Sequence, residues 1–156
     1  MSDTPFSLSP EQELGVRTFF DRIPFNRLLG VELDELSTER VVMHLSMRED
    51  LIGNFVQGIL HGGVIATLLD VAGGAMALIG TLQRMHSMPD LDNKAKLSKL
   101  GTIDLRVDYL RPGRGERFTA VAVLLRSGNK VAVVRSELHN EQGVLVAVGT
   151  GTYLCG

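Results

Sequence analysis

Residues 58–82 read GILHGGVIATLLDVAGGAMALIGTL, a segment whose ionisable residues are His61 and Asp70. Its length and composition suit either a membrane span or a long buried helix. A charged aspartate at the centre of a spanning helix costs roughly 3 kcal/mol, and six glycines interrupt the segment. We therefore predict a helix buried inside a folded protein, and no membrane span.

The composition of the chain is typical of one globular domain. Its 156 residues can enclose a sizeable core, and a net charge of -2 with mixed signs gives no electrostatic case for binding nucleic acid. The single cysteine, Cys155, has no partner for an internal disulfide, which fits a reducing cytosol. Residues 1–15 lack the basic and apolar regions of a secretion signal. A cytoplasmic protein is expected.

The beginning of the chain predicts a short amphipathic helix within LSPEQELGVRTFFDRIP. Ser9 can cap this helix, Pro10 suits its first turn, and Pro24 lies just past its end. We accordingly divide the chain into an N-terminal helical segment at residues 1–28 and a second domain at residues 29–156.

Alternating apolar and polar residues predict six strands around the long helix. Two short strands are expected near residues 29–36 and 39–47, the helix near 60–83, and a polar loop near 84–100. Four more strands follow, joined partly by the turn signals SGN and EQG: TIDLRVDYLRP, RFTAVAVLLR, KVAVVRSELHN and VLVAVGTGTYL. This order predicts an α+β fold, with an antiparallel sheet wrapped around the helix.

The first of these four strands alternates along its whole length. Its polar face is expected to carry Thr102, while its apolar residues should face the core: Ile103, Leu105, Val107 and Tyr109.

The His-Gly-Gly sequence at residues 61–63 stands at the predicted start of the long helix. Helix N-termini present unpaired backbone N–H groups and a partial positive charge. Glycine there lets a substrate oxygen approach the amides, as in an oxyanion hole. Two glycines before a helix can also serve simply as a tight turn, so this signal needs support from elsewhere.

Asp70 gives that support, because a carboxylate on an apolar helix face is costly unless it is paired or functional. A structural acid bonded to a hydroxyl is the alternative. His61 and Asp70 are nine residues apart, about 13.5 Å along the axis and half a turn out of phase. One helix cannot easily aim both at one small substrate. The spacing therefore predicts two sites, each shared between antiparallel helices of a homodimer.

The motif N-FVQ-G-IL-HGG-VIATLL-D, from Asn54 to Asp70, followed by TIDLRVDYLRPGRGE, resembles hotdog-fold acyl-CoA thioesterases. The similarity covers roughly residues 29–154. It points to the group around the phenylacetic-acid-pathway thioesterases and their bacterial relatives that act on medium or long acyl chains. The resemblance implies a sheet wrapped around the central helix, an acyl-CoA substrate, and no metal or redox cofactor.

The resemblance also implies roles for individual residues. Asp70 would act as general base on water, or as nucleophile, and the Gly62 N–H would polarise the thioester carbonyl. His61 would fix the turn, Asn54 would help to position the thioester, and Thr102 would orient the attacking water together with Asp70. The spacing from Asn54 to the histidine is one residue longer than in several relatives, so Gln57 is a second candidate for that position. Thr102 can fill its role only if the strand twists locally.

The CoA part of the substrate would need phosphate ligands. The resemblance implies that basic residues at hairpin ends, together with a glycine of the helix start, contact CoA: Gly63, Arg111, Arg114, Arg126 and Lys130. The acyl chain would run along the helix where small residues leave room, near Leu69, Gly73, Gly74 and Ala77. The remaining histidines lie in separate segments without metal-ligand spacing, so no metal site is predicted: His44, His86 and His139.

Two other functions remain open at this stage. A dehydratase or hydratase acting on acyl thioesters would pair a catalytic histidine with a carboxylate, but the acid here lies where thioesterases with His-Gly-Gly have it. A non-catalytic acyl-CoA sensor could use the same scaffold, since a fold does not determine function. CoA or acyl-carrier-protein thioesters, and dimers or tetramers, also remain open.

Overall fold

The computed structural model describes residues 5–86 and 98–156 of the chain. The helices and strands are α1 Pro10–Asp21, α2 Pro24–Leu29, β1 Glu32–Leu36, β2 Val41–Ser46, α3 Gly62–Met85, β3 Gly101–Tyr109, β4 Arg117–Ser127, β5 Val131–Asn140 and β6 Leu145–Leu154. The strands form a six-stranded antiparallel sheet, in the order β1-β2-β4-β5-β6-β3, curved around the long helix α3. The prediction of an α+β fold with a wrapped helix is confirmed.

The helix α3 forms the centre of the core. By length and composition it could span a membrane, but most of it is buried inside the protein. It packs mainly on β4, β5 and β6. It begins two residues later than the sequence predicts, because Leu60 pairs with Ile52 and donates its backbone N–H to the Gly113 carbonyl. Much of the predicted loop after the helix, at residues 87–97, lies outside the described residues.

The N-terminal helix α1 is confirmed, with Ser9 and Gln12 forming a reciprocal capping box. The expected strand near residues 29–36 begins too early, because Pro24–Leu29 is a second short helix. Pro24 opens this helix as its first residue rather than only ending the one before. Gly30 ends it with a φ of 76°.

The two edges of the sheet differ. The β1 edge is covered by α1, whose Arg17 guanidinium donates a 2.9 Å hydrogen bond to the Leu33 carbonyl. The opposite edge is β3, which has β6 as its strand neighbour in the described part of the chain.

A bulge breaks the predicted alternation of β3. Thr102 lies opposite Tyr153, but Asp104 lies opposite Thr152, so Ile103 is left between two register positions. Ile103 and Tyr109 are each 53% exposed, so the prediction that these two residues face the core is wrong. The bulge turns Thr102 to the face that carries α3, which supplies the local twist that Thr102 needed.

Candidate active site

The start of α3 is a tightly built turn. The Gly63 N–H donates a 2.8 Å hydrogen bond to Nδ1 of His61, the N-cap residue. Tyr109 donates through its hydroxyl to the Gly62 carbonyl at 2.8 Å. A Cβ at Gly63 would lie 2.9 Å from the His61 Nδ1, so position 63 has no room for a side chain. The Gly62 N–H is the first of the helix and has no acceptor within it.

A pocket of about 380 Å³ lies against this turn, and we call it the Gly62 pocket. Arg111 lies on its wall and donates a 3.0 Å hydrogen bond to the Leu145 carbonyl. The residues lining the pocket are Ile59, Leu60, Gly62, Ile65, Tyr109, Leu110, Arg111, Pro112 and Gly113.

A second pocket, of about 290 Å³, contains Asp70, and we call it the Asp70 pocket. Thr102 donates to the carboxylate, with its Oγ1 3.0 Å from Oδ1 and 3.2 Å from Oδ2 of Asp70. Most of the wall is apolar, and α1, α2 and the turn between them form one side. The lining residues are Phe19, Phe20, Ile23, Phe25, Asn26, Thr67, Asp70, Val71, Gly74, Leu100, Gly101, Thr102 and Tyr153.

Burial raises the pKa of Asp70, and the hydrogen bond from Thr102 and the nearby hydroxyl of Tyr153 only partly offset that rise. Burial also raises the pKa of Tyr153, as does the negative charge of Asp70. The tyrosine therefore stays protonated and remains a hydrogen-bond donor. A carboxylate with a raised pKa is a better proton acceptor than an ordinary surface aspartate.

The predicted oxyanion-binding residue, Gly62, and the predicted base, Asp70, lie in two separate pockets. Gly62 and Asp70 are eight residues apart on α3, which is about 12 Å along the axis. Neither pocket contains both residues. Thr102 and Asp70 are brought together within one chain, whereas His61 and Gly62 lie at a distance from them.

Asn54 and Gln57, the two candidates for positioning the thioester, have hydrogen-bond partners close to them in the structure. The Asn54 Oδ1 accepts hydrogen bonds from the Val56 and Gln57 backbone N–H groups at 3.1 and 3.3 Å. Arg114 donates at 2.8 Å to the Gln57 Oε1. These contacts shape the exposed loop that leads to His61.

The predicted CoA ligands are divided between two ends of the sheet. Arg111 and Arg114 follow β3 and lie near the Gly62 pocket, whereas Arg126 and Lys130 flank the β4–β5 turn and line a separate pocket of about 340 Å³. The Gly63 N–H is already bonded to His61, so that donor is not free for CoA.

The predicted acyl path along α3 needs correction. Leu69 and Ala77 are fully buried, and the space beside Gly73 is filled by Tyr153, whose Oη would lie 2.1 Å from a Cβ at position 73. Of the four residues predicted along this path, Gly74 alone lines the Asp70 pocket.

Sequence reasoning missed two parts of this site. One is Tyr153, for which the alternation of Gly149, Gly151 and Tyr153 was the available signal, since small residues on one strand face leave space for a large ring. The other is the wall from α1 and α2. The apolar face of α1 was visible, but no local pattern indicates that it lies beside Asp70.

Comparisons with known proteins give the family of this chain. The sequence profile described as the Thioesterase superfamily matches residues 57–147. The chain is 50% identical to the medium/long-chain acyl-CoA thioesterase YigI of Escherichia coli, over 96% of this chain and 97% of that protein.

Solved structures give the same result. A Shewanella oneidensis protein related to the thioesterase superfamily superimposes with a TM-score of 0.87 at 46% identity. The superposition covers 96% of this chain and 100% of that chain. The PaaI protein from the phenylacetic acid degradation operon of E. coli shares the fold, with a TM-score of 0.73 at 18% identity over 92% of each chain. The predicted hotdog fold is confirmed.

Proposed function

This chain belongs to the thioesterase superfamily, and we propose that it hydrolyses acyl-CoA thioesters to a free acid and CoA. The observation that carries the mechanism is the half-buried Asp70 carboxylate, hydrogen-bonded to Thr102 in a largely apolar pocket. The named activity of the 50% identical relative supports the same reaction.

Asp70 acts as a general base in this proposal. The carboxylate takes a proton from a water molecule while the water oxygen forms a bond to the thioester carbonyl carbon. The carbonyl oxygen becomes negative and is stabilised by the Gly62 N–H at the helix start. The C–S bond then breaks, and the proton held by Asp70 passes to the departing CoA sulfur. Thr102 holds the carboxylate and orients the water.

We propose that each site is shared by two chains. The 12 Å between Gly62 and Asp70 along α3 is too long for both to act on one carbonyl. An antiparallel second copy would bring its Gly62 pocket to the Asp70 pocket of the first. The β3 edge supports this arrangement, because it has β6 as its strand neighbour among the described residues and a sheet edge can pair with another chain.

The two parts of the substrate have different surroundings in this proposal. The acyl chain contacts the apolar wall formed by α1 and α2, which supports medium or long aliphatic chains over small aryl groups. The name of the YigI relative supports the same preference. Arg111 and Arg114 are the stronger candidates for the CoA phosphates, because they lie by the Gly62 pocket. Arg126 and Lys130 line a separate pocket, so they could contact the phosphates only if the CoA nucleotide bound along a different path.

The deciding experiment measures thiol release from acyl-CoAs of increasing chain length and from phenylacetyl-CoA, with the wild type and Asp70→Asn. We expect hydrolysis of medium and long chains, its loss in the variant, and an unchanged oligomeric state by light scattering. Binding of acyl-CoA without hydrolysis of any substrate would refute the proposal and favour a sensor.

Mixing variants tests the shared site. Asp70→Asn and Gly62→Val subunits, each of which we expect to be inactive alone, are denatured together and refolded. Activity that returns only in the mixture supports one intact site per mixed dimer, whereas continued inactivity of soluble mixed dimers contradicts it.

A further inference from the structure

We propose that Tyr153 is a positioning residue for Asp70, holding the helix turn that carries the carboxylate while Thr102 holds the carboxylate itself. The Tyr153 hydroxyl donates a 3.1 Å hydrogen bond to the backbone carbonyl of Asp70. This inference rests on the proposed role of Asp70 as the catalytic base.

The sheet places the two hydroxyl-bearing residues side by side. Thr102 on β3 and Tyr153 on β6 are directly opposite each other in the strand register, and both face α3. One reaches the carboxylate of Asp70 and the other reaches its main chain. Movement of α3 along its axis would therefore strain both contacts, which restricts the carboxylate to one position.

The ring of Tyr153 is held firmly in place. It is 2% exposed and lies between two glycines. A Cβ would lie 2.1 Å from the tyrosine Oη at Gly73 and 2.5 Å from it at Gly151. Because these glycines have no side chains, the ring can insert between the helix and β6 deeply enough for its hydroxyl to reach Asp70.

Among residues 5–86 and 98–156, the charges around Asp70 are few. From α1 and α2, the residues that line the pocket carry no ionisable group, and β3 contributes Thr102 at the carboxylate and Asp104, whose charge acts on Tyr153. The tyrosine also favours the ionised form of Asp70: its hydroxyl, bonded to the carbonyl of the same residue, lowers the pKa of that carboxyl against the opposing effect of burial. Loss of the hydroxyl should raise the pKa of Asp70 further.

The test compares Tyr153→Phe with Ser136→Ala. Ser136 is a matched control, because its buried hydroxyl donates at 3.2 Å to the carbonyl of Leu69, one residue before Asp70. Each variant thus removes one hydrogen bond from the sheet to neighbouring carbonyls of α3, but the Ser136 bond does not involve Asp70.

We expect Tyr153→Phe to lower kcat by roughly 10- to 100-fold, the scale for small misplacement of a catalytic group, with KM within about twofold of the wild type. The acid limb of the kcat/KM profile should move to higher pH. Ser136→Ala should lose some thermal stability and keep the wild-type profile. An unmoved Tyr153→Phe profile, a shift to lower pH, or an equal shift in both variants would refute the positioning role.

A second readout does not depend on activity. Carboxyl-carbon NMR of aspartate-labelled protein, with Asp70→Asn to assign the signal, follows the titration of Asp70 directly. If the wild type proves inactive, the proposed hydrolysis fails. The contact with Tyr153 is then still judged by whether Tyr153→Phe raises the Asp70 titration midpoint, and an unchanged midpoint would refute it.

Discussion

The substitution Gly73→Ala should destabilise the protein although alanine is the better helix former. Gly73 is inside α3, where alanine in place of glycine contributes about 1 kcal/mol through helix propensity. The new Cβ, however, would lie 2.1 Å from Oη and 2.7 Å from Cζ of Tyr153, far inside the usual separation of about 3.5–4.0 Å. The ring cannot retreat, because Gly151 closes on its other side.

Overpacking of this kind costs typically 1–3 kcal/mol, and the depth of the overlap places the cost of Gly73→Ala at about 3 kcal/mol. Loss of the hydrogen bond from Tyr153 to Asp70 adds about 1 kcal/mol, which the helix propensity of alanine offsets. The net loss is about 3 kcal/mol, or a fall in Tm of roughly 6–12 °C for a chain of this size.

Gly15→Ala is the matched control. Gly15 is also inside a helix, α1, but a Cβ there would meet nothing within 4 Å. The same chemical change should therefore raise the stability, by about 1 kcal/mol or roughly 2–4 °C. Differential scanning calorimetry of both variants at one protein concentration gives the comparison.

A rise in Tm for Gly73→Ala similar to that for Gly15→Ala would refute the packing argument. A double-mutant cycle identifies the clashing partner. In a Tyr153→Phe background the clash with Oη is absent, so Gly73→Ala should cost less than it does in the wild type.

Three further predictions concern the site itself. Asp70→Asn should raise the Tm at neutral pH, because the pKa of Asp70 is raised in the folded state and its ionised form therefore destabilises the folded protein above that pKa. The gain in Tm should fade as the pH drops below the unfolded-state pKa of aspartate. Scanning calorimetry of the wild type and the variant across pH measures this difference. His61→Ala should lower the stability by about 1 kcal/mol in thermal unfolding, since it removes the cap on the Gly63 N–H, and should also slow hydrolysis; an unchanged Tm would contradict the capping role. Arg111→Ala should raise KM several-fold for acyl-CoA but not for an acyl-N-acetylcysteamine thioester, which has no phosphates, and equal effects on the two substrates would argue against a phosphate contact.

The long helix was predictable from the sequence because its composition leaves little choice. A segment this apolar, with a single carboxylate near its centre, has to be buried by the rest of the chain, and the alternating strands supply the surface that buries it. Asp70 was recognisable for the same reason, since an acid in such a segment needs a partner or a function.

The details that complete the site depend on contacts between distant segments. Alternation predicted that Thr102 faces away from α3, and only the bulge beside Ile103 reverses this. Nothing local distinguishes Pro24 as the start of a second helix from Pro24 as the end of the first. Tyr153 and Asp70 are in contact although they are 83 positions apart in the sequence, and a local residue pattern cannot predict a contact between such distant positions.

The three residues Gly73, Gly151 and Tyr153 also constrain the order in which this protein can evolve. While position 153 carries an aromatic ring, any side chain at either glycine collides with it, so those two sites are closed to change. Once a smaller residue replaces Tyr153, both glycines can accept alanine, and a later return to tyrosine is then blocked. The residue at position 153 therefore determines which substitutions are tolerated at positions 73 and 151, and the order in which the three positions change matters.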